Sequence, residues 1–176
     1  IESANAQITL VEDITGEAVY VEGETLDVNV TVQNIGGASI LSADLGLILN
    51  GTNFAFVNAT GLTILGYSSI EVTITVTISI GATTGDILID AEISGTEGIT
   101  GNPISDSAAN TTETINVQSQ AILSISAIVD LTAGAPYVGG ETFDIRVDYQ
   151  NTGGVDVTGV DATINFNGAT GLSSNT

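Results

Sequence analysis

Residues 70–80 read Ile70-Glu71-Val72-Thr73-Ile74-Thr75-Val76-Thr77-Ile78-Ser79-Ile80, with apolar and polar side chains alternating along the whole run. Successive side chains of a β-strand point to opposite faces, so this phase turns one face to a core and the other to water. Ile, Val and Thr are β-branched, and their restricted χ1 angles suit a pleated surface better than a helix. The alternation recurs in Leu26, Val28, Val30 and Val32, in Leu45, Leu47 and Leu49, and in Ile87, Ile89, Ala91 and Ile93. Shorter versions stand at Ile8 and Leu10 and at Ile115 and Val117. No window of ten or more residues carries a 3.6-residue apolar stripe, which predicts an all-β chain. Turn formers separate the runs: Gly16, Gly23, Gly36-Gly37, Asn50-Gly51, Gly66, Gly81, Gly85 and Gly101-Asn102-Pro103. Roughly seven or eight short strands so spaced are the pattern of an immunoglobulin-like β-sandwich.

The stretch from Tyr20 to Gly37 (YVEGETLDVNVTVQNIGG) returns as Tyr137 to Gly154 (YVGGETFDIRVDYQNTGG) at a constant offset of 117 residues. The register continues through Asp44 and Asp161, Leu47 and Ile164, and Asn50-Gly51 and Asn167-Gly168. A period of this length means tandem domains rather than a solenoid. The expected organisation is a complete sandwich over 1–118 and, over 119–176, a partial second copy holding the first three strands. Gly23 and Gly140 open their strands. Asn34 and Asn151, each with a glycine pair, are expected to close them through a turn needing positive φ.

The Gly-Glu-Thr lead-in, the alternating strand and the closing Asn-x-Gly-Gly, present in both copies, resemble the CARDB-type and related Ig-like repeats of bacterial and archaeal surface proteins. The resemblance implies modules that act as spacers, adhesive stalks or building blocks of surface layers and filaments.

Composition narrows the chemistry. The chain has 21 acidic side chains against one basic one, Arg146, for a formal net charge of −20, and it has no His, Cys, Met or Trp. Such a field repels phosphate backbones and anionic headgroups, so nucleic acid is not an expected partner. Without His, Cys or Lys there is no Ser-His-Asp triad, cysteine nucleophile, Cys/His zinc site, disulfide, Schiff base, P-loop or Lys–Asn isopeptide brace. No apolar run approaches the roughly 18 residues of a membrane helix, so membrane insertion is not expected. A start at Ile1 without a signal segment reads as a processed chain or an excerpt. The neutral Thr, Ser, Asn and Gly surface points to an extracellular or cell-surface location.

The acidic groups Glu12-Asp13, Glu22/Glu24/Asp27 and Asp86/Asp90/Glu92 read as solvated strand faces. A glycosidase-type carboxylate pair is the only acid/base chemistry available, and with no Trp to stack a sugar it is not expected; the chain is read as no enzyme, with no catalytic residues. No cofactor and no metal ligands are assigned. Calcium near Asp13, Glu113 or Asp130 at the domain junction is the one candidate ion. Sequons at Asn29, Asn50, Asn58 and Asn110 are candidate glycosylation sites, with Asn29 on an outward strand phase and the others in or beside loops. Tyr20 and Tyr137 read as packing at the sandwich corner. Asp44 and Asp161 read as loop orienters or as charges keeping an edge soluble.

The partial copy carries Ile125, Phe143, Ile145, Val147, Tyr149, Val160, Ala162, Ile164 and Phe166 on one face. Each such side chain gains roughly 1.5–3 kcal/mol on burial, so the face needs a cover. Either further polypeptide or strands of another subunit supply it, and these residues are the candidate assembly face. The expected function is a structural subunit of an extracellular filament or fibre, self-associating into a homopolymer through strand sharing or tandem domains. The alternative is a cell-surface adhesin or carbohydrate-binding Ig-like module with glycan partners; a calcium-rigidified stalk is a third reading.

Overall fold

The computed structural model describes residues 2–107, 112–132, 136–168 and 172. The chain divides into two compact units, Ile1–Gln120 and Ala121–Thr176. Among the described residues all regular structure is β, and no helix is long and apolar enough to cross a membrane.

The first unit holds ten strands: β1 (Ala6–Asp13), β2 (Tyr20–Val21), β3 (Thr25–Asn34), β4 (Ile40–Leu49), β5 (Phe54–Ala55), β6 (Ala59–Ile64), β7 (Ser69–Ile78), β8 (Gly85–Glu97), β9 (Pro103–Asp106) and β10 (Glu113–Gln118). One sheet has the order β1-β3-β7-β5 and the other β2-β10-β8-β4-β6, with β9 on the side of β8. The alternating runs place Leu26, Val28, Val30, Val32, Ile74, Val76 and Ile78 of the first sheet in a common core with Leu45, Ile87, Ile89, Ile93, Ile115 and Val117 of the second. β3 and β7 are antiparallel from Thr25 opposite Thr77 to Gln33 opposite Ser69, which puts Thr and Asn side chains together on the outward face.

Three local expectations change. The Ile8/Leu10 alternation is broken by a bulge between these two residues; Leu10 is turned out at 39% exposure and Val11 takes the inward place. The long run ends at Ile78, because the Ser79 N–H donates to the Asn53 carbonyl and the chain turns at Gly81, so Ile80 is 74% exposed instead of inward. The Gly36-Gly37 pair does not adopt positive φ. Gly36 is needed for close approach instead: a Cβ there would lie 1.8 Å from the Ser3 carbonyl oxygen. Gly23 and Gly140, ahead of β3 and its counterpart, do have φ in the left-handed region, at 97° and 93°.

What closes β3 is the Asn34 amide. It is fully buried, its Oδ1 accepts from the Asn5 and Gly36 N–H groups at 3.1 Å, and its Nδ2 donates to the carbonyls of Ala38 at 2.7 Å and Leu65 at 3.1 Å. One side chain thus satisfies backbone groups from the N-terminal segment, its own turn and the β6–β7 loop. A second buried polar group, Glu97, accepts from the Ala4 N–H at 3.0 Å and from the Thr100 hydroxyl.

The second unit has two strands among its described residues, β11 (Leu123–Asp130) and β12 (Ile145–Asn151), paired antiparallel. They reproduce the pairing register of β1 with β3 at the 117-residue offset: Leu123 faces Asn151 as Ala6 faces Asn34, and the bulge between Ile8 and Leu10 recurs between Ile125 and Ala127. The third stretch, 157–166, corresponds to β4 but has no ladder among the described residues. In the first unit β4 pairs with β8 and β6, not with β1 or β3. No counterpart of β8 or β6 is present among the described residues beside 157–166.

Asn34→Ala leaves several buried backbone groups without partners and is expected to destabilise the first unit by about 2–3 kcal/mol in urea unfolding. Hydrogen bonds from Thr100 and Ala4 hold the Glu97 carboxyl below its ordinary value of 4.5. A lowered folded-state pKa adds stability that is fully present above the unfolded value and is lost as pH falls through the folded one. The gap in melting midpoint between the parent chain and Glu97→Gln is therefore expected to be widest above pH 4.5 and to close progressively below it.

Candidate functional site

The second unit is organised by short polar contacts that also occur in the first. Asp130 accepts from the Thr132 N–H at 2.9 Å and from the Tyr137 hydroxyl, as Asp13 accepts from the Thr15 N–H at 2.9 Å and from Tyr20 at 2.5 Å. The Thr132 hydroxyl accepts from the Asp144 N–H at 2.7 Å, and Glu141 from the Val138 N–H at 2.9 Å, matching Thr15 with Asp27 and Glu24 with Val21. These contacts fix where β11 ends and where the chain leading into β12 runs. Donation from Tyr137 and Thr132 holds the Asp130 carboxyl below the ordinary carboxylate value, while burial and the Asp13 hydrogen bond raise the Tyr20 phenol. Tyr137 also stacks on Phe143, with ring centroids 4.7 Å apart.

The face so held carries a cleft of about 300 Å³ lined by Leu123, Ile125, Ile128, Val147, Tyr149 and Ile164 among others. Of the candidate assembly residues, Ile125, Val147, Tyr149 and Ile164 meet there, with Ala162 beside them. Phe143 is engaged with Tyr137, and Ile145, Val160 and Phe166 do not line the cleft. Ile128 escaped the sequence reading because the bulge after Ile125 shifts the inward phase by one residue, and Leu123, in phase with Ile125 before the bulge, escaped it as well. Their signal was the repeat itself, since they stand at the places of Ala6 and Val11. Exposure separates the two copies sharply: Ile125 and Ile128 are 60% and 66% exposed, against 1% and 4% for Ile8 and Val11. The outer edge of β12, which in the first unit would meet β7, has no ladder partner among the described residues.

The other candidates lie apart. Asn50 and Asn58 are exposed and Asn29 is half-buried on the outward face of β3, whereas Asn110 lies outside the described residues. Asn50 uses its Oδ1 to accept from the Leu88 N–H at 2.8 Å. Asn58 borders a polar concavity of about 350 Å³ with Asp44, Glu92, Ser94, Ser105 and Asp106. Asp44 accepts from the Gly61 N–H at 3.2 Å, so it orients the chain in β6, while Asp161 lines the apolar cleft. Asp27 accepts from the Thr75 hydroxyl at 2.6 Å and Asp86 from the Asn116 amide at 2.8 Å, both on outward faces, but Glu22 is buried and departs from the solvated reading. Among the described residues no group of three or more acidic side chains is placed to hold a metal ion, and Asp13 and Asp130 are occupied by the contacts above.

Comparison with known proteins gives a family and a set of distant folds. The family model for CARDB matches residues 7–102, more than half of the chain. No curated protein matches. The solved CARDB domain of a Pyrococcus furiosus protein, described in complex with di-metal ions, is 18% identical, with 66% of this chain and 96% of that one covered and a TM-score of 0.46. The sporulation control protein of Bacillus subtilis is 16% identical over 86% of this chain and 69% of its own, with a TM-score of 0.36. A cohesin module of a Clostridium perfringens glycoside hydrolase is 9% identical over 68% of this chain and all of its own (100%), with a TM-score of 0.34.

An uncovered apolar cleft binds environment-sensitive apolar dyes. The intact chain is expected to raise the emission of such a dye, and Ile128→Ser combined with Val147→Ser to cut the gain roughly by half or more. The paired substitution Leu10→Ser with Ile80→Ser, on isolated exposed positions of the first unit, is expected to leave it unchanged.

Proposed function

The chain belongs to the CARDB family, and from that premise we propose that it is a non-catalytic structural subunit of an extracellular surface filament or fibre, assembled through strand sharing or tandem Ig-like domains. In this reading the first unit is the rigid body, and the apolar face of residues 119–176 is covered by further polypeptide or by strands of a neighbouring subunit. The observation that carries the proposal is the contrast in cover at equivalent positions: the β1–β3 pair buries its apolar face, and the matching β11–β12 pair leaves Ile125 and Ile128 largely in water. At about 25 cal/mol per Å² of apolar surface, covering that face drives association, and ladder hydrogen bonds along the free β12 edge set its geometry.

The net charge of −20 keeps filaments from clumping sideways. Exposed Asn50 and Asn58 are accessible for glycans, which act in the same direction. The polar concavity beside Asn58 favours a second reading, in which the protein is an adhesin that holds a carbohydrate there.

Sedimentation velocity over a range of concentrations tests the two. The filament reading expects concentration-dependent assembly that strengthens as salt screens the acidic charge, and loss of assembly in Ile125→Asp/Ile128→Asp. A chain that stays monomeric throughout while binding glycans replaces it with the adhesin reading.

A further inference from the structure

We propose that Asn58 carries an N-linked glycan whose innermost sugars are uncharged and lie in the polar concavity on the outer face of the second sheet. This goes beyond the filament reading by assigning one glycan to one seat, and it stands or falls independently of assembly.

Of the three sequons among the described residues, one lies clear of a ladder with its amide uncommitted. Asn29 is half-buried in the middle of β3, paired with Glu12 of β1 on one side and Thr73 of β7 on the other. Asn50 is held against β8: its Oδ1 accepts from the Leu88 N–H at 2.8 Å and its own N–H donates to the Leu88 carbonyl at 3.2 Å. Asn58 stands in the connection from β5 to β6, is exposed, and its side chain makes no hydrogen bond to a described residue. Thr60, whose hydroxyl completes the sequon, is also exposed, on β6, the edge strand of its sheet. A glycosyltransferase therefore reaches this sequon from the open side of the sheet.

The ground in front of the amide is kept clear by Gly46. This residue has the outward phase of β4, between the core residues Leu45 and Leu47, yet it is buried, because the Asn58 amide lies over it. A Cβ at position 46 would come within 3.0 Å of both Oδ1 and Nδ2 of Asn58. In the β4–β8 ladder Gly46 stands opposite Glu92 and Asp44 opposite Ser94, and Ser94 stands opposite Ser105 of β9. Residues opposite each other share a face. The missing side chain at 46 thus opens a concavity of about 350 Å³ that runs from Asn58 across β4 to β8 and β9, a size suited to a few small rings.

The lining selects the occupant. The carboxylates of Asp44 and Glu92 accept hydrogen bonds, and the hydroxyls of Ser94 and Ser105 both donate and accept, which matches the hydroxyl groups of neutral sugars. An acidic sugar would set its carboxylate against theirs in a chain of net charge −20. No aromatic ring lines the concavity among the described residues, so a free saccharide lacks a stacking platform there. A covalent tether at Asn58 makes up for it by raising the local concentration of the sugar. The donor is a polyprenyl-phosphate-linked oligosaccharide: the Nδ2–C1 bond forms, the bond from C1 to the phosphate oxygen breaks, Nδ2 loses one proton and the lipid phosphate leaves.

Mass spectrometry of the chain taken from its native cells, with fragmentation that separates Asn58 from Asn50, is expected to find sugar-sized increments on Asn58 that vanish in Thr60→Ala. Loss of the glycan is expected to lower the melting midpoint by roughly 2–4 °C. In a Glu92→Ala/Ser105→Ala background the same loss is expected to shift the midpoint by roughly half as much or less. Each pair of chains is also made in cells lacking the transferase, which gives the effect of the Thr60 side chain itself for subtraction. A native chain with a bare Asn58 overturns the proposal, whatever the state of the other sequons. An occupied Asn58 whose loss leaves the midpoint unchanged, or lowers it equally in both backgrounds, overturns the seat in the concavity.

Discussion

A strand pair with one apolar face must lose that face to something other than water, and the rest of this molecule follows from where that happens. In the first unit β1, β3 and β7 lay Ile8, Val11, Val28, Val30 and Val76 against the opposite sheet, and the core closes. In the second unit the same pair forms, with the same register and the same bulge, from local contacts alone. Its face stays open because the strands that would close it are absent from the described residues. The behaviour of 157–166 illustrates the dependence. Its counterpart β4 is a long strand only because β8 and β6 flank it, and the same alternating sequence without flanking strands forms no ladder. Alternation gives a segment the capacity to be a strand, and neighbours make it one.

Polar groups do the positioning that apolar burial cannot do, because burial is non-directional. Asn34 joins three chain segments through one amide, and its counterpart Asn151 makes the shorter set available in its own unit, accepting from Ile122 and Gly153 and donating to Val155. The Asp, Thr, Tyr and Glu contacts around Asp13 and Asp130 repeat because they are local in sequence and need no second sheet. These contacts explain why the β11–β12 pair keeps the geometry of β1 and β3. They also explain why Tyr20 and Tyr137 sit at matched positions: each ring packs while its hydroxyl finds a carboxylate.

The charge distribution acts at longer range. With 21 acidic groups and one arginine, almost any two surfaces of two copies repel, so association has to be specific to occur. Lacking lysine and cysteine, this sequence has neither isopeptide nor disulfide braces, which leaves apolar burial and ladder hydrogen bonds to hold its strands together.

Read from the chain alone, the period-two runs determined the all-β class, the inward phase of β3 and β7 and the 117-residue repeat, because these depend on local side-chain direction. The apolar character of the candidate site was legible for the same reason at Ile125, Val147, Tyr149 and Ile164. Tertiary structure decided the rest. A bulge moved the inward phase from Leu10 to Val11 and brought Ile128 into the cleft, and a bulge is a property of two paired strands rather than of one sequence. The close approach of Ser3 revealed why Gly36 is glycine, a reason that positive φ had seemed to supply. The free edges of β7 and β12 exist only once strand order is known, since a sequence specifies which residues face a core but not which strand stands beside which.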